Sequence, residues 1–123
     1  MPVIRIEIPE GISRDIKRRI RDGAKQAVID TLAPKETKYD YVAVREVFAE
    51  IGDGAPLITV DLRPGREPER KKALVDAISR LLNVELNVEA RDVYVLFREN
   101  PAENHYCGGE PLPAWVPASK LAE

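Results

Sequence analysis

Pro2, Arg63 and Arg66 are the residues of this chain whose types could do chemistry together. A small second residue favours removal of Met1. Pro2 then presents a secondary amine at the head of a strand, a group able to act as a general base. An ordinary terminal amine titrates at about 7.7–8.0, and a secondary amine higher. Burial or nearby positive charge must therefore favour its neutral form. One guanidinium about 6 Å away, at an effective dielectric near 20, contributes roughly 2.8 kcal/mol, or about two pKa units. Arg63 and Arg66 lie in Leu62-Arg63-Pro64-Gly65-Arg66. They are suited to that task and to holding an anionic substrate, because the planar fork matches a carboxylate with two parallel hydrogen bonds. The helix that starts just after them adds a preference for anions.

The elements that must position these residues form a repeat. Pro2-Val3-Ile4-Arg5-Ile6-Glu7-Ile8 alternates polar and apolar positions, as a half-buried strand does. Pro56-Leu57-Ile58-Thr59-Val60-Asp61-Leu62 has the same length, leading proline and alternation. Each copy runs through a glycine, Gly11 or Gly65, into an amphipathic helix. In the first helix Ser13 is the N-cap, and Ile16, Ile20, Ala24, Ala27, Val28 and Leu32 make the apolar face. The basic run Arg14, Lys17, Arg18, Arg19, Arg21 and Lys25 covers the other faces as a solvated surface, and Pro34 stops the helix. Pro68 suits the first position of the second helix, whose stripe is Leu74, Val75, Ile78, Leu81, Leu82 and Leu86. Strands are expected at 39–48 and 92–99, where Tyr41-Val42-Ala43-Val44-Arg45-Glu46 matches Tyr94-Val95-Leu96-Phe97-Arg98-Glu99.

The fold class is therefore α+β. A tandem β-α-β repeat forms a four-stranded mixed sheet with two helices on one face. The expected organisation is a single domain over 1–123, with halves at about 2–53 and 54–112, a boundary at Ile51-Gly52-Asp53-Gly54, and a tail from 113 to 123. The sheet face away from the helices carries Ile4, Ile6, Ile8 or their neighbours, and an open apolar face predicts self-association. The arginines have Pro9 and Ile12 at the matching places of the first half. One half thus keeps the proline terminus and the other the arginines, as one composite site requires.

The 123 residues suffice for a real core, and 44% hydrophobic with 33% charged residues is ordinary for a soluble protein. A net charge of -2 argues against nucleic-acid binding. No apolar run approaches the roughly 20 residues of a membrane span, and Glu7 and Glu10 interrupt the start as a signal peptide. Cys107 is the single cysteine, which excludes an internal disulfide and fits a cytoplasmic location. His105 beside Cys107 is too few ligands for a metal, and no base-and-orienter pair marks Cys107 as a nucleophile. No cofactor is implied. Glu46 and Glu99, equivalent in the repeat, read as structural residues at strand ends, and Trp115 as an anchor for the tail or an interface.

Over residues 2–112 the chain resembles the tautomerase superfamily, named for 4-oxalocrotonate tautomerase. The resemblance rests on Pro-Leu-Ile-Thr-Val, Pro-Gly-Arg-Glu-Pro-Glu-Arg-Lys, Tyr-Val-Leu-Phe-Arg-Glu and the aromatic-x-Gly-Gly segment at 106–109. The resemblance implies Pro2 as base, Arg66 as carboxylate binder, Arg63 as a second such arginine, Tyr106 lining the pocket, and a homotrimer of double-length chains. It departs from the short enzymes at Tyr94, where they have arginine. It departs from the malonate semialdehyde decarboxylases at Thr37, where they have an acid before the second strand. It departs from the dehalogenases at Lys25, near the place of their histidine on the first helix. The expected reaction is a tautomerisation: Pro2 removes the proton alpha to the carbonyl of a small 2-oxo or enol acid, and returns it at another carbon. The alternatives are decarboxylation or hydration of a three-carbon acid by protonated Pro2, or a non-catalytic relative if Met1 is retained.

Overall fold

The structure is a computed structural model that describes residues 2–38, 40–49 and 56–117. Met1, Tyr39, the boundary cluster at 51–54 and residues 118–123 lie outside the described residues. The chain runs β1 (Val3–Ile8), α1 (Arg14–Leu32), β2 (Tyr41–Glu46), β3 (Leu57–Leu62), α2 (Pro68–Leu86) and β4 (Tyr94–Glu99). Two short strands follow, β5 (Tyr106–Cys107) and β6 (Glu110–Pro111). The main sheet has the order β2-β1-β3-β4. β1–β2 and β3–β4 are parallel, as crossover helices demand, and the central β1–β3 pair is antiparallel.

The repeat holds at the level of single hydrogen bonds. Both helices have 19 residues. The Pro2 carbonyl accepts the Tyr41 N–H at 3.1 Å, as the Pro56 carbonyl accepts that of Tyr94 at 3.3 Å. Glu46 pairs with Lys17 on α1, and Glu99 with Lys71 on α2, so each strand-end acid ties its strand to the helix of its own half. Ser13 caps α1 through a bond from the Ile16 N–H at 3.2 Å. Ala33, in the left-handed region just before Pro34, ends that helix.

Ile4, Ile6 and Ile8 of β1 and Ile58, Val60 and Leu62 of β3 point to the helices. With Ile20, Ala24, Val28 and Leu32 of α1 and Leu74, Ile78 and Leu82 of α2 they form one hydrophobic cluster. Gly23 brings the helices close, since a Cβ there would stand 2.7 Å from a Leu81 methyl. The three isoleucines therefore cannot supply an open apolar face. The face away from the helices carries their neighbours, and ion pairs run across it. Asp61 receives Arg5 and Arg98, and Glu7 receives Arg45. Among the described residues only Tyr41, Tyr94 and Leu96 are large exposed apolar groups there. The apolar-face argument for association is thus corrected: the period-2 pattern sends the isoleucines under the helices and leaves a mixed surface outside. Among the described residues no helix is long and apolar enough to cross a membrane.

Candidate active site

Strand register decides which side chains meet. Val3 lies opposite Asp61 in the antiparallel β1–β3 pair, so the head of β1 adjoins the tail of β3. One step outward, Pro2 is level with Leu62, and Arg63 is next in the chain. On the other side β2 runs parallel to β1 with Tyr41 opposite Val3, which puts Asp40 beside Pro2. Pro2 is buried. Asp40, Arg63 and Arg66 are only 7%, 5% and 4% exposed.

Burying three ionisable groups is expensive unless they are paired. The arginines are held from behind. Arg66 donates Nε–H to the Leu32 carbonyl at 3.1 Å, and Arg63 donates from Nη1 to the Pro113 carbonyl. Three donors at the C-terminal end of α1 satisfy carbonyls that no helical N–H can reach. Arg66 takes Leu32, Arg70 takes Thr31 at 3.3 Å, and the Trp115 Nε1–H takes Ala33 at 3.0 Å. The last turn of α1 has no basic residue of its own, so the cations come from the other half. The Arg66 guanidinium also lies 4.4 Å from the centroid of the Trp115 ring.

Held this way, the group still has unused capacity. Among the described residues, Nη1 and Nη2 of Arg66, Nε of Arg63 and both carboxylate oxygens of Asp40 are buried with no hydrogen-bond partner. Each such donor or acceptor costs about 1–3 kcal/mol. The groups feel one another through a poorly screened interior. Burial, reinforced by Arg63, lowers the Arg66 pKa to about 10, with Asp40 opposing; it stays cationic at neutral pH. Burial likewise lowers that of Arg63. Burial raises that of Asp40, against the pull of the amino terminus, Lys25 and Arg66. A cluster of buried guanidinium donors beside the strand head has the charge and the donor geometry to hold a small carboxylate.

His105 adjoins this group. Its Nε2 is buried without a partner. Burial lowers its pKa, and Arg63 adds to that. Tyr106, the next residue, is 62% exposed on β5, so within one chain its ring does not join the buried cluster. Tyr94 is exposed on an edge strand and Thr37 on the loop before β2. The residue directly ahead of β2 is Asp40, so an acid does stand there, three positions beyond Thr37.

Asp40, His105 and Trp115 were not assigned to the site from the sequence. Two of the three had a signal. Asp40 aligns with Val93 in the repeat, a polar-for-apolar exchange of the same kind that marks Arg63 and Arg66 against Pro9 and Ile12. His105 neighbours the Gly-Gly hairpin already counted as specific. Nothing in the local sequence connects Trp115 to Arg66, 49 positions away. The basic run on α1 lines an open cleft of Arg14, Lys17, Arg18, Arg21 and Val44. Three of its cations are already paired, with Glu46, Asp15 and Asp22, as a solvated surface would be. Among the described residues no three His, Cys, Asp or Glu side chains are grouped to hold a metal ion.

Comparison with known proteins finds a family model that matches the second half of the chain. Residues 56–114 match the family model Tautomerase, described as tautomerase enzyme. No curated protein sequence matches the chain. Among solved structures, a fused 4-OT asymmetric trimer is 20% identical, over 98% of this chain and 99% of that one, with a TM-score of 0.79. A malonate semialdehyde decarboxylase is 19% identical over 86% and 90%, with a TM-score of 0.73. A macrophage migration inhibitory factor-like protein from Entamoeba histolytica is 19% identical over 90% and 98%, with a TM-score of 0.74. At these identities the structures speak for the fold.

Proposed function

We propose, for a chain whose residues 56–114 match the Tautomerase family model and whose four-stranded fold is that of its structural neighbours, an enzyme that moves a proton within a small 2-oxo or enol acid. The observation that carries this is the antiparallel β1–β3 register, which sets the head of β1 against the turn holding Arg63 and Arg66. After removal of Met1, the Pro2 nitrogen takes the proton from the carbon alpha to the carbonyl of a 2-oxo acid, or from the hydroxyl of an enol acid. Either way the negative charge rests on that oxygen, giving an enolate or dienolate. Arg66, with Arg63, binds the carboxylate through the Nη and Nε donors that have no partner among the described residues. The pair also stabilises the developing oxyanion charge, which is worth most in a site closed to water. The protonated ring then returns its proton at another carbon, so the cycle consumes no cofactor and ends with Pro2 neutral.

A second reading is favoured by one observation, the buried carboxylate of Asp40 beside Pro2. A neighbouring anion favours the protonated amine. Protonated Pro2 would then serve as the acid in decarboxylation or hydration of a three-carbon acid. Malonate semialdehyde decarboxylase, one of the structural neighbours, is described as having decarboxylase and hydratase activities.

We propose a homotrimer, which the trimeric fused 4-OT neighbour supports. In such an assembly Tyr106, exposed in the single chain, would line the pocket of an adjoining copy. Ultraviolet assays with 2-hydroxymuconate and phenylenolpyruvate test the reaction. Tautomerisation that falls about 100-fold or more in Pro2→Ala supports the first reading. No turnover of either enol, with turnover of a three-carbon 3-oxo acid, supports the second.

A further inference from the structure

We propose that Trp115 is a positioning residue for the carboxylate site, holding the Arg66 guanidinium so that its Nη edge faces the substrate. The inference rests on the reading of Arg66 as a carboxylate binder. An arginine side chain has several rotatable bonds, and an unrestrained one presents its fork in many directions. Here the side chain is fixed twice. Nε is tied to the Leu32 carbonyl, and one face of the guanidinium lies on the indole, 4.4 Å from its centroid. The two edges left are Nη1 and Nη2, both buried and unpartnered.

The indole is itself fixed. Its Nε1–H bonds the Ala33 carbonyl, one residue beyond the arginine's own acceptor. It is 3% exposed. Arg70 lies on the same ring at 5.5 Å. Two residues before it, the Pro113 carbonyl takes the Arg63 Nη1 donor, so the strap 113–115 engages both arginines of the site. The Gly65 turn completes the fit, because a Cβ there would stand 3.1 Å from the Trp115 carbonyl oxygen. A tail anchored only for stability needs an apolar pocket. This one is built against the two cations that the reaction uses.

The test uses the full chain, and malonate as the probe. Trp115 is the single tryptophan, so its emission reports on this spot alone. In the wild type, malonate binding measured by calorimetry is expected to shift the emission saturably at the same midpoint. Trp115→Ala is expected to raise the malonate Kd and the substrate KM about tenfold, with kcat within threefold. Trp115→Phe, which keeps an aromatic face, is expected to stay within threefold of wild type in all three. Calorimetric binding with no change in emission overturns the proposal. So does a folded Trp115→Ala protein with wild-type Kd, or one in which kcat alone falls. Should Trp115→Ala fail to fold, the wild-type titration and Trp115→Phe decide, and a tenfold loss of affinity in Trp115→Phe also overturns it. Binding lost in Arg66→Gln but untouched in the tryptophan variants would sink this inference and spare the carboxylate reading. Absence of malonate binding in the wild type would sink both.

Discussion

Arg66 donates its Nε–H to the carbonyl of Leu32, joining the turn before α2 to the C-terminal end of α1 across 34 positions of sequence. The bond gives the guanidinium two duties at once. Its inner edge closes a helix end, and its Nη edge, without a partner among the described residues, is the one that the proposed function assigns to substrate. Arg66→Gln should therefore lower kcat/KM about 100-fold or more, the usual loss when a charged donor to a developing anion is removed. Arg66→Lys should not restore it, because an ammonium cannot bond Leu32 and present a fork together. Steady-state kinetics of the two variants checks this. Near-wild-type kcat/KM in the lysine variant would mean that charge alone suffices.

Asp40 should govern the protonation of Pro2. Its carboxylate, once ionised, favours the protonated ring, so removing the charge should lower the pKa of that ring. In Asp40→Asn the acidic limb of the kcat/KM–pH profile is expected to move down by about one unit. An unmoved limb would remove Asp40 from the site's electrostatics.

His105 predicts a pH dependence of stability. Burial lowers its pKa below the ordinary imidazole value of 6.5 in the folded chain. The unfolded chain therefore takes up the proton first as pH falls. Stability should decline as pH drops through and below 6.5, and be insensitive to this group above that range. Denaturant unfolding of wild type and His105→Gln at pH 7.5 and 5.5, conditions chosen about one unit either side of the imidazole value, should show a smaller loss in the variant.

Much of the fold was readable because hydrophobic period and the repeat agreed. Both helices lie where three- and four-residue spacing put them, and the four main strands fall within the alternating segments. The isoleucines of β1 show where that reading ran out. Period 2 says that one face is buried, but not which face the helices cover. The site was half legible. Pro2 is marked by its place directly after Met1, which its counterpart Pro56 lacks, and Arg63 and Arg66 differ in type from Pro9 and Ile12 of the first half. Asp40 carries the same mark, but an unpaired carboxylate at 7% exposure is recognised only once its surroundings are known. Trp115 had no mark, since its partners Arg66 and Ala33 are 49 and 82 positions away and come together only through packing.

Gly65 should tolerate no side chain. Its φ of 120° is a conformation L residues rarely adopt, and a Cβ would press on the Trp115 carbonyl. Gly65→Ala is expected to cost about 1–3 kcal/mol and to lower Tm. Tryptophan emission should shift to the red as the indole gains water. A protein of unchanged Tm and emission would show that the strap yields freely.

The central claim is that a free ring nitrogen at Pro2 does the chemistry beside Arg63 and Arg66. The same preparation can be assayed with Met1 attached and again after an aminopeptidase has removed it, with intact mass verifying each state. A blocked Pro2 nitrogen is an amide, with no basic lone pair. The account predicts turnover of the enol acid that is absent in the blocked protein and appears as Met1 leaves, in proportion to the freed fraction. Equal turnover in the two states would contradict it.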